Sequence, residues 1–178
     1  MLGLIYARTP SGLIGYQGAL PWHIPEELQL FRKYTADSTL IMGRKTWASL
    51  PGILPRRHHV VITRTSGVPH PDVTYCSISA FNALAPMIQQ WEQTTPVWII
   101  GGARLLTEAL LSGSVDCIVE TEILQYDEST IDPQQAVYFN PGLAQDRRWS
   151  CVLTQPHLHT TPYPFIERHY LPTLSRPT

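Results

Sequence analysis

The carboxylate at position 27 stands in a costly place. Pro25 suits the first position of a helix, and the residues after it keep a helical pattern over 25–35. At about 100° per residue, Leu30, Phe31 and Tyr34 fall within about 60° of Glu27, with Leu28 at the edge of the same stripe. Glu26, Gln29, Arg32 and Lys33 take the opposite side. Glu26 reads as an ordinary helix-start acid favoured by the macrodipole. Glu27 points instead where a core or cleft belongs, and an unpartnered carboxylate is expensive there. A bidentate donor, such as the amidine-like edge of a heterocycle, would satisfy it.

A second kind of chemistry is anionic. Between Ser38 and Pro71 there is no Asp or Glu, while Arg44, Lys45, Arg56, Arg57 and Arg64 all fall inside. That stretch is either a solvated basic face or a local seat for anions. Gly43-Arg44-Lys45-Thr46 follows an apolar run and opens a helical one. Basic residues in a first turn oppose the macrodipole, and a bound phosphate would supply the missing charge. Thr63-Arg64 offers another hydroxyl–guanidinium pair, with no acid nearby to take a ribose hydroxyl, which favours NADP over NAD. Val97-Trp98-Ile99-Ile100 runs into Gly101-Gly102 and then a helical pattern. Paired glycines there let backbone approach a ligand. They do not form GxGxxG, which counts against a conventional dinucleotide-binding fold. His157 and His159 would share a face of a strand, but two histidines with no further ligand do not make a metal site, and no metal is expected.

The elements that must position these groups alternate. Strands are expected over residues 2–7, 39–42, 59–63, 97–100 and 115–120. Helices are expected over 25–35, 44–50, 79–91, with Pro86 ending or kinking the third, and 102–111. Such alternation predicts an α/β fold with a largely parallel sheet. Residues 149–155 and 165–171 read as a closing antiparallel hairpin, and 125–141 as an exposed loop. One domain over residues 1–171 and a loose tail over 172–178 are expected.

Bulk properties exclude several classes. With 43% hydrophobic and 15% charged residues the chain is globular rather than disordered. A net charge of -1 provides no global field for nucleic acid. No apolar run approaches the ~20 residues of a membrane helix. The short apolar N-terminus reads as a first strand rather than a signal peptide. Three scattered cysteines, Cys76, Cys117 and Cys151, suit a reducing compartment, so a cytoplasmic location is expected.

From Met1 to about Leu171 the chain resembles the dihydrofolate reductases. The resemblance rests on Ile14-Gly15, Leu20-Pro21-Trp22, Pro25-Glu26-Glu27-Leu28 with Phe31, and Met42-Gly43-Arg44-Lys45-Thr46-Trp47. It continues through Leu54-Pro55-Arg56-Arg57, Val60 to Arg64, Ile99-Ile100-Gly101-Gly102 and Thr121-Glu122, in that order. It implies an α/β fold: a mostly parallel eight-stranded sheet with an antiparallel C-terminal strand and four flanking helices. It implies NADPH as cofactor, hydride transfer to C6 of dihydrofolate with protonation of N5, and a place in one-carbon metabolism. It also implies a mobile lid over residues 9–23, with Gly15 and Gly18 as flexible points.

Residue by residue, Glu27 matches the pterin-anchoring acid, and Trp22 and Thr121 the residues that organise water around it. Ile5, Tyr6, Leu28, Phe31, Leu50, Leu54 and Ile100 match the apolar walls, and Arg57 the clamp on the α-carboxylate of the glutamate tail, its neighbour Arg56 being surface. Ala7, Ile14, Gly15, Leu20 and Thr46 match contacts to the nicotinamide half. Gly101, Gly102, Ala103, Arg104 and Leu105 match the pyrophosphate region, with a cis peptide between the two glycines. Arg44, Thr63 and Arg64 match the 2′-phosphate seat, and Gly43 and Lys45 belong with the cofactor contacts. Leu106 departs from the family in standing where an aromatic is usual, as does Ala103, where a third glycine is frequent. Antifolate inhibitors are implied ligands, and a monomer is expected. Two other readings remain at this stage: the related NADPH-dependent pyrimidine reductase of flavin synthesis, and a non-catalytic NADPH- or folate-binding module. An acid at Glu27 with Arg57 downstream favours the first reading.

Overall fold

The computed structural model describes residues 1–65, 67–78 and 81–173. Six strands pair in parallel: β1 (Leu2–Arg8), β3 (Ser38–Gly43), β4 (Arg57–Ile62), β5 (Val73–Cys76), β6 (Val97–Gly101) and β7 (Cys117–Ile123). The hairpin β9 (Trp149–His157) and β10 (Phe165–Pro172) closes one edge, β10 lying antiparallel to both β7 and β9. The order of the eight-stranded sheet is β5-β4-β3-β6-β1-β7-β10-β9. β1 and β3 are buried along nearly their whole length, as strands covered on both faces must be.

Four α-helices flank the sheet: α1 (Pro25–Tyr34), α2 (Arg44–Ser49), α3 (Ala85–Glu92) and α4 (Ala103–Ser112). Leu2, Leu4 and Tyr6 face a core with Ile88 of α3 and Leu106, Ala109 and Leu110 of α4. Ile5 faces the opposite core, with Phe31 and Tyr34 of α1 and Trp47 of α2 packed against it. A smaller cluster of Ala7, Trp22, Ile24, Ile123 and Phe165 fills the end of the sheet beside the start of α1. Gly113 stops α4 at φ 72°, a left-handed conformation that glycine adopts without steric cost.

Three expectations change. Pro86 does not end the third helix; it lies in the first turn of α3, where a missing N–H has no partner to lose, after a 3-10 turn at Phe81–Leu84. Ser79 and Ala80, expected to begin that helix, lie outside the described residues. Residues 125–141 are not merely a loop: they contain β8 (Ala136–Tyr138), which pairs antiparallel with β2 (Leu13–Tyr16) in a separate two-stranded sheet. Of the expected tail, Pro172 still belongs to β10, and 174–178 lie outside the described residues. Among the described residues no helix is long and apolar enough to cross a membrane.

Candidate active site

α1 places Glu27 as the sequence pattern requires. It is the one buried residue of that helix, at 8% exposure. Among the described residues no charged or hydrogen-bonding neighbour offsets the loss of water, and burial pushes its carboxyl from 4.5 up to about 7. Ile24, immediately before α1, is fully buried beside Trp22 and Ala7. Trp22 Nε1 is itself buried without an acceptor among the described residues. Ala7 and Thr121 are register partners on β1 and β7, so strand alternation turns Thr121 to the same side of the sheet. Trp22 and Thr121 therefore lie at the same end of the sheet, beside the start of α1 that carries Glu27, while Ile5, Phe31, Leu50, Leu54 and Ile100 belong to one apolar cluster. Leu28 is half-buried on α1.

Tyr6 is a correction. Successive strand residues point to opposite faces, and its side chain lies in the α3–α4 core, edge-to-face with Phe139 at 4.9 Å, with its hydroxyl donating to Glu120 Oε2 at 2.8 Å. It does not share a wall with Ile5.

Arg57 begins β4, just past the turn after Leu54. Its guanidinium donates to Thr35 Oγ1 at 3.0 Å, to the Arg32 carbonyl at 2.9 Å and to the Pro55 carbonyl at 2.7 Å. All three acceptors are uncharged, so the fork is held in place without an ion-pair partner in contact among the described residues. Burial and the neighbouring Arg56 pull its pKa down from the ordinary value. Arg56 itself is exposed and pairs with Asp37.

The glycine pair meets α2. The Gly101–Gly102 peptide is cis, and Gly102 caps α4 with its carbonyl accepting from Leu106 N at 3.1 Å. Gly101 has φ 129°, and a Cβ there would stand 3.3 Å from Thr46 Oγ1. A Cβ on Gly43 would stand 3.8 Å from the Gly102 nitrogen. Gly43, Thr46, Gly101 and Gly102 thus form one stretch of bare backbone with a hydroxyl over it. Ala103 and Leu105 pack against the core, while Arg104 is exposed and pairs with Glu108 along the helix at 2.6 Å.

A cavity of about 360 Å³ opens beside α2. Arg44, Trp47, Val61, Thr63, Thr65, Gly67, Val68 and Tyr75 line it. It brings together Arg44 and Thr63, which the resemblance matches to a 2′-phosphate seat, with Thr65 and Tyr75, which sequence reasoning does not single out although they lie just after and across from the end of β4. Arg64 and Lys45 are exposed and do not line it.

The first loop is tied down by the segment that sequence reading left without a role. Gly15 pairs with Val137, Gln17 N donates to the Gln135 carbonyl at 3.1 Å, and Ser11 Oγ bonds the Glu128 carboxylate at 2.8 Å. Tyr126 donates to the Pro21 carbonyl at 3.1 Å and packs edge-on against Trp22. Ile14 packs against the α3–α4 core, whereas Leu20, at 48% exposure, does not. Leu106 is buried in that same core.

His157 sits in a different network from the metal pair considered for it. It approaches Glu167 at 3.2 Å and stacks on Phe165, while His159 is exposed. Among the described residues no group of three or more His, Cys, Asp or Glu could hold a metal ion.

The described residues thus give a buried carboxylate on the apolar side of one helix and, at the start of another, a bare glycine backbone facing a hydroxyl. The dihydrofolate reductase family model matches residues 1–161. A dihydrofolate reductase of Neisseria meningitidis serogroup B is 37% identical over 94% of this chain and 96% of its own length. That of Mycobacterium leprae is 33% identical over 75% and 81%, and that of Buchnera aphidicola 33% over 64% and 66%. The chain belongs to the dihydrofolate reductase family. Its activity is the reduction of dihydrofolate to tetrahydrofolate.

Proposed function

We propose that the chain uses NADPH to reduce 7,8-dihydrofolate to 5,6,7,8-tetrahydrofolate in the cytoplasm, with Glu27 anchoring the pterin. Glu27's burial, with no partner among the described residues, carries this reading. A carboxyl in that setting gains most from a ligand that presents two adjacent N–H donors, as the 2-amino and N3 edge of a pterin does. Trp22 Nε1 and the Thr121 hydroxyl, on the same side, would order water next to that edge. Phe31, Leu50, Leu54, Ile5 and Ile100 would wall the rings, and Arg57 would clamp the α-carboxylate of the glutamate tail.

The chain's residues fit NADPH. At Gly101 a Cβ would crowd the Thr46 hydroxyl, so the backbone there stays bare, and the first turn of α4, which follows directly after Gly102, would turn N–H groups toward a pyrophosphate. Arg44 and Thr63 in the adjoining cavity suit a 2′-phosphate, and no acid lines that cavity to claim a ribose hydroxyl. When bound, NADPH supplies the hydride for C6. The protein's part is to hold the pterin ring through Glu27, exclude water with the lid over residues 9–23, and keep the cleft polarised. No carboxylate needs to touch N5; Glu27 fixes the ring while water delivers the proton. Three free thiols suit a reducing cytoplasm.

Steady-state oxidation of NADPH with dihydrofolate tests the reading, read beside Glu27→Gln. Turnover by the wild type and a loss of roughly 100-fold in the variant are expected, the scale on which a small misplacement of a reacting ring slows a reaction. A folded wild type with no turnover, or a variant near wild-type rate at neutral pH, overturns it. A thermal shift with a methotrexate-type antifolate separates this reading from a pyrimidine reductase, which should not respond.

A further inference from the structure

The α3–α4 side of the sheet carries an ionic cluster directly behind the active-site end. Tyr6 and Arg8 on β1 are register partners of Glu120 and Glu122 on β7, and Glu120 is in turn the partner of Arg168 on β10. Glu120, at 1% exposure, accepts from Tyr6, from Arg8 Nε at 2.9 Å and from Arg8 Nη2 at 3.1 Å. Arg8 also meets Glu122 at 3.2 Å, and Arg168 approaches both acids, at 3.6 and 3.3 Å. Two cations and two anions close on each other across three strands. A salt bridge this deep is poor evidence for stability, because desolvation offsets most of the attraction. Its geometry shows something else.

The one Arg8 nitrogen not turned to a carboxylate, Nη1, donates to the carbonyls of Thr9 at 3.0 Å and Pro10 at 3.5 Å. Those are the first two residues of the lid. The Thr9 carbonyl also accepts from Gly12 N at 2.9 Å, and Thr9 and Leu13 bond each other through backbone and hydroxyl. The root of the lid is therefore locked to Arg8, and Arg8 to the centre of the sheet, one residue from Ala7 and back to back with Thr121.

We propose that Arg8 is a positioning residue for hydride transfer: braced by Glu120 and Glu122, it fixes the angle at which the lid leaves β1 and so where residues 16–22 close over the reacting rings. This rests on reading residues 9–23 as the lid of a dihydrofolate reductase. Charge alone would not perform the task, because a lysine reaches Glu120 but has no planar fork to span carboxylate and carbonyl together.

Single-turnover hydride transfer from NADPH and its 4-deuterated form, measured across temperature, tests the proposal in two variants. Arg8→Met with Glu120→Gln removes the brace without stranding a buried charge; Arg8→Lys keeps the charge and is the variant expected to fold if the first does not. In the double variant transfer should slow by about 10-fold or more, as small misplacements do. The isotope effect should become temperature-dependent and KM for dihydrofolate should change little. Arg8→Lys should recover part of the rate. Folded variants with wild-type transfer rates and a wild-type isotope response overturn the proposal, as does a loss that merely tracks the unfolded fraction. A wild type without turnover would instead sink the functional reading itself.

Discussion

Arg57 shows how a single side chain can be rigid and still available. Its donors rest on one hydroxyl and two carbonyls contributed by the end of α1 and the turn before β4, so binding a carboxylate costs little ordering. Arg57→Ala should raise KM for dihydrofolate by about 10-fold to 100-fold, the worth of a charge-assisted bond, and lower kcat much less. An unchanged KM would reassign the tail clamp. At this scale the sequence was most legible where angle alone decides. The position of Glu27 follows from its distance to Leu30, Phe31 and Tyr34 around a helix. Tyr6, next to Ile5 on one strand, faces the other side of the sheet, which strand alternation alone would indicate.

Among the elements, the pairing of β2 with β8 turns the first loop from a free strap into half of a small sheet. Nothing local announces it: the strands are four and three residues long, and their partners are remote in sequence. Period-2 patterning needs a longer run than that to stand out. The parallel strands, by contrast, were readable from unbroken apolar runs such as Leu40-Ile41-Met42. Ser11→Ala removes the exposed bond to Glu128 and leaves the ladder. Amide exchange at Gly12 and Leu13 should quicken several-fold while global stability falls by no more than about 1 kcal/mol, as for one exposed hydrogen bond. Exchange at the wild-type rate would mean that β2–β8 pairing suffices to hold this end of the lid.

At the level of the whole molecule, Glu27 ties stability to pH. An unfolded glutamate ionises near 4.5, whereas folding holds this one protonated until about 7. Between those values the folded chain binds more protons than the unfolded one, so stability falls as pH rises and levels off above 7. The loss should total roughly 3 kcal/mol, absent in Glu27→Gln. Urea titrations of the ligand-free pair from pH 4.5 to 8 check this: the stability difference should shift in favour of the variant as pH rises, and parallel curves would contradict the burial. The Tyr34–Glu167 contact behaves differently. Burial pushes the Glu167 carboxyl up, but bonds from Tyr34, His169 and His157 outweigh it and hold it below the usual carboxylate value.

The strand order carries a consequence for how the chain is made. The N-terminal strand sits in the middle of the sheet, between partners that begin at Val97 and Cys117. During synthesis it must therefore leave the ribosome as an apolar ribbon with both edges open, and wait for more than half of the polypeptide to follow. Such non-local pairing makes folding slow and the nascent ribbon adhesive. The same arrangement that buries this strand so thoroughly in the finished sheet leaves it most exposed to sticking while the chain is still being made.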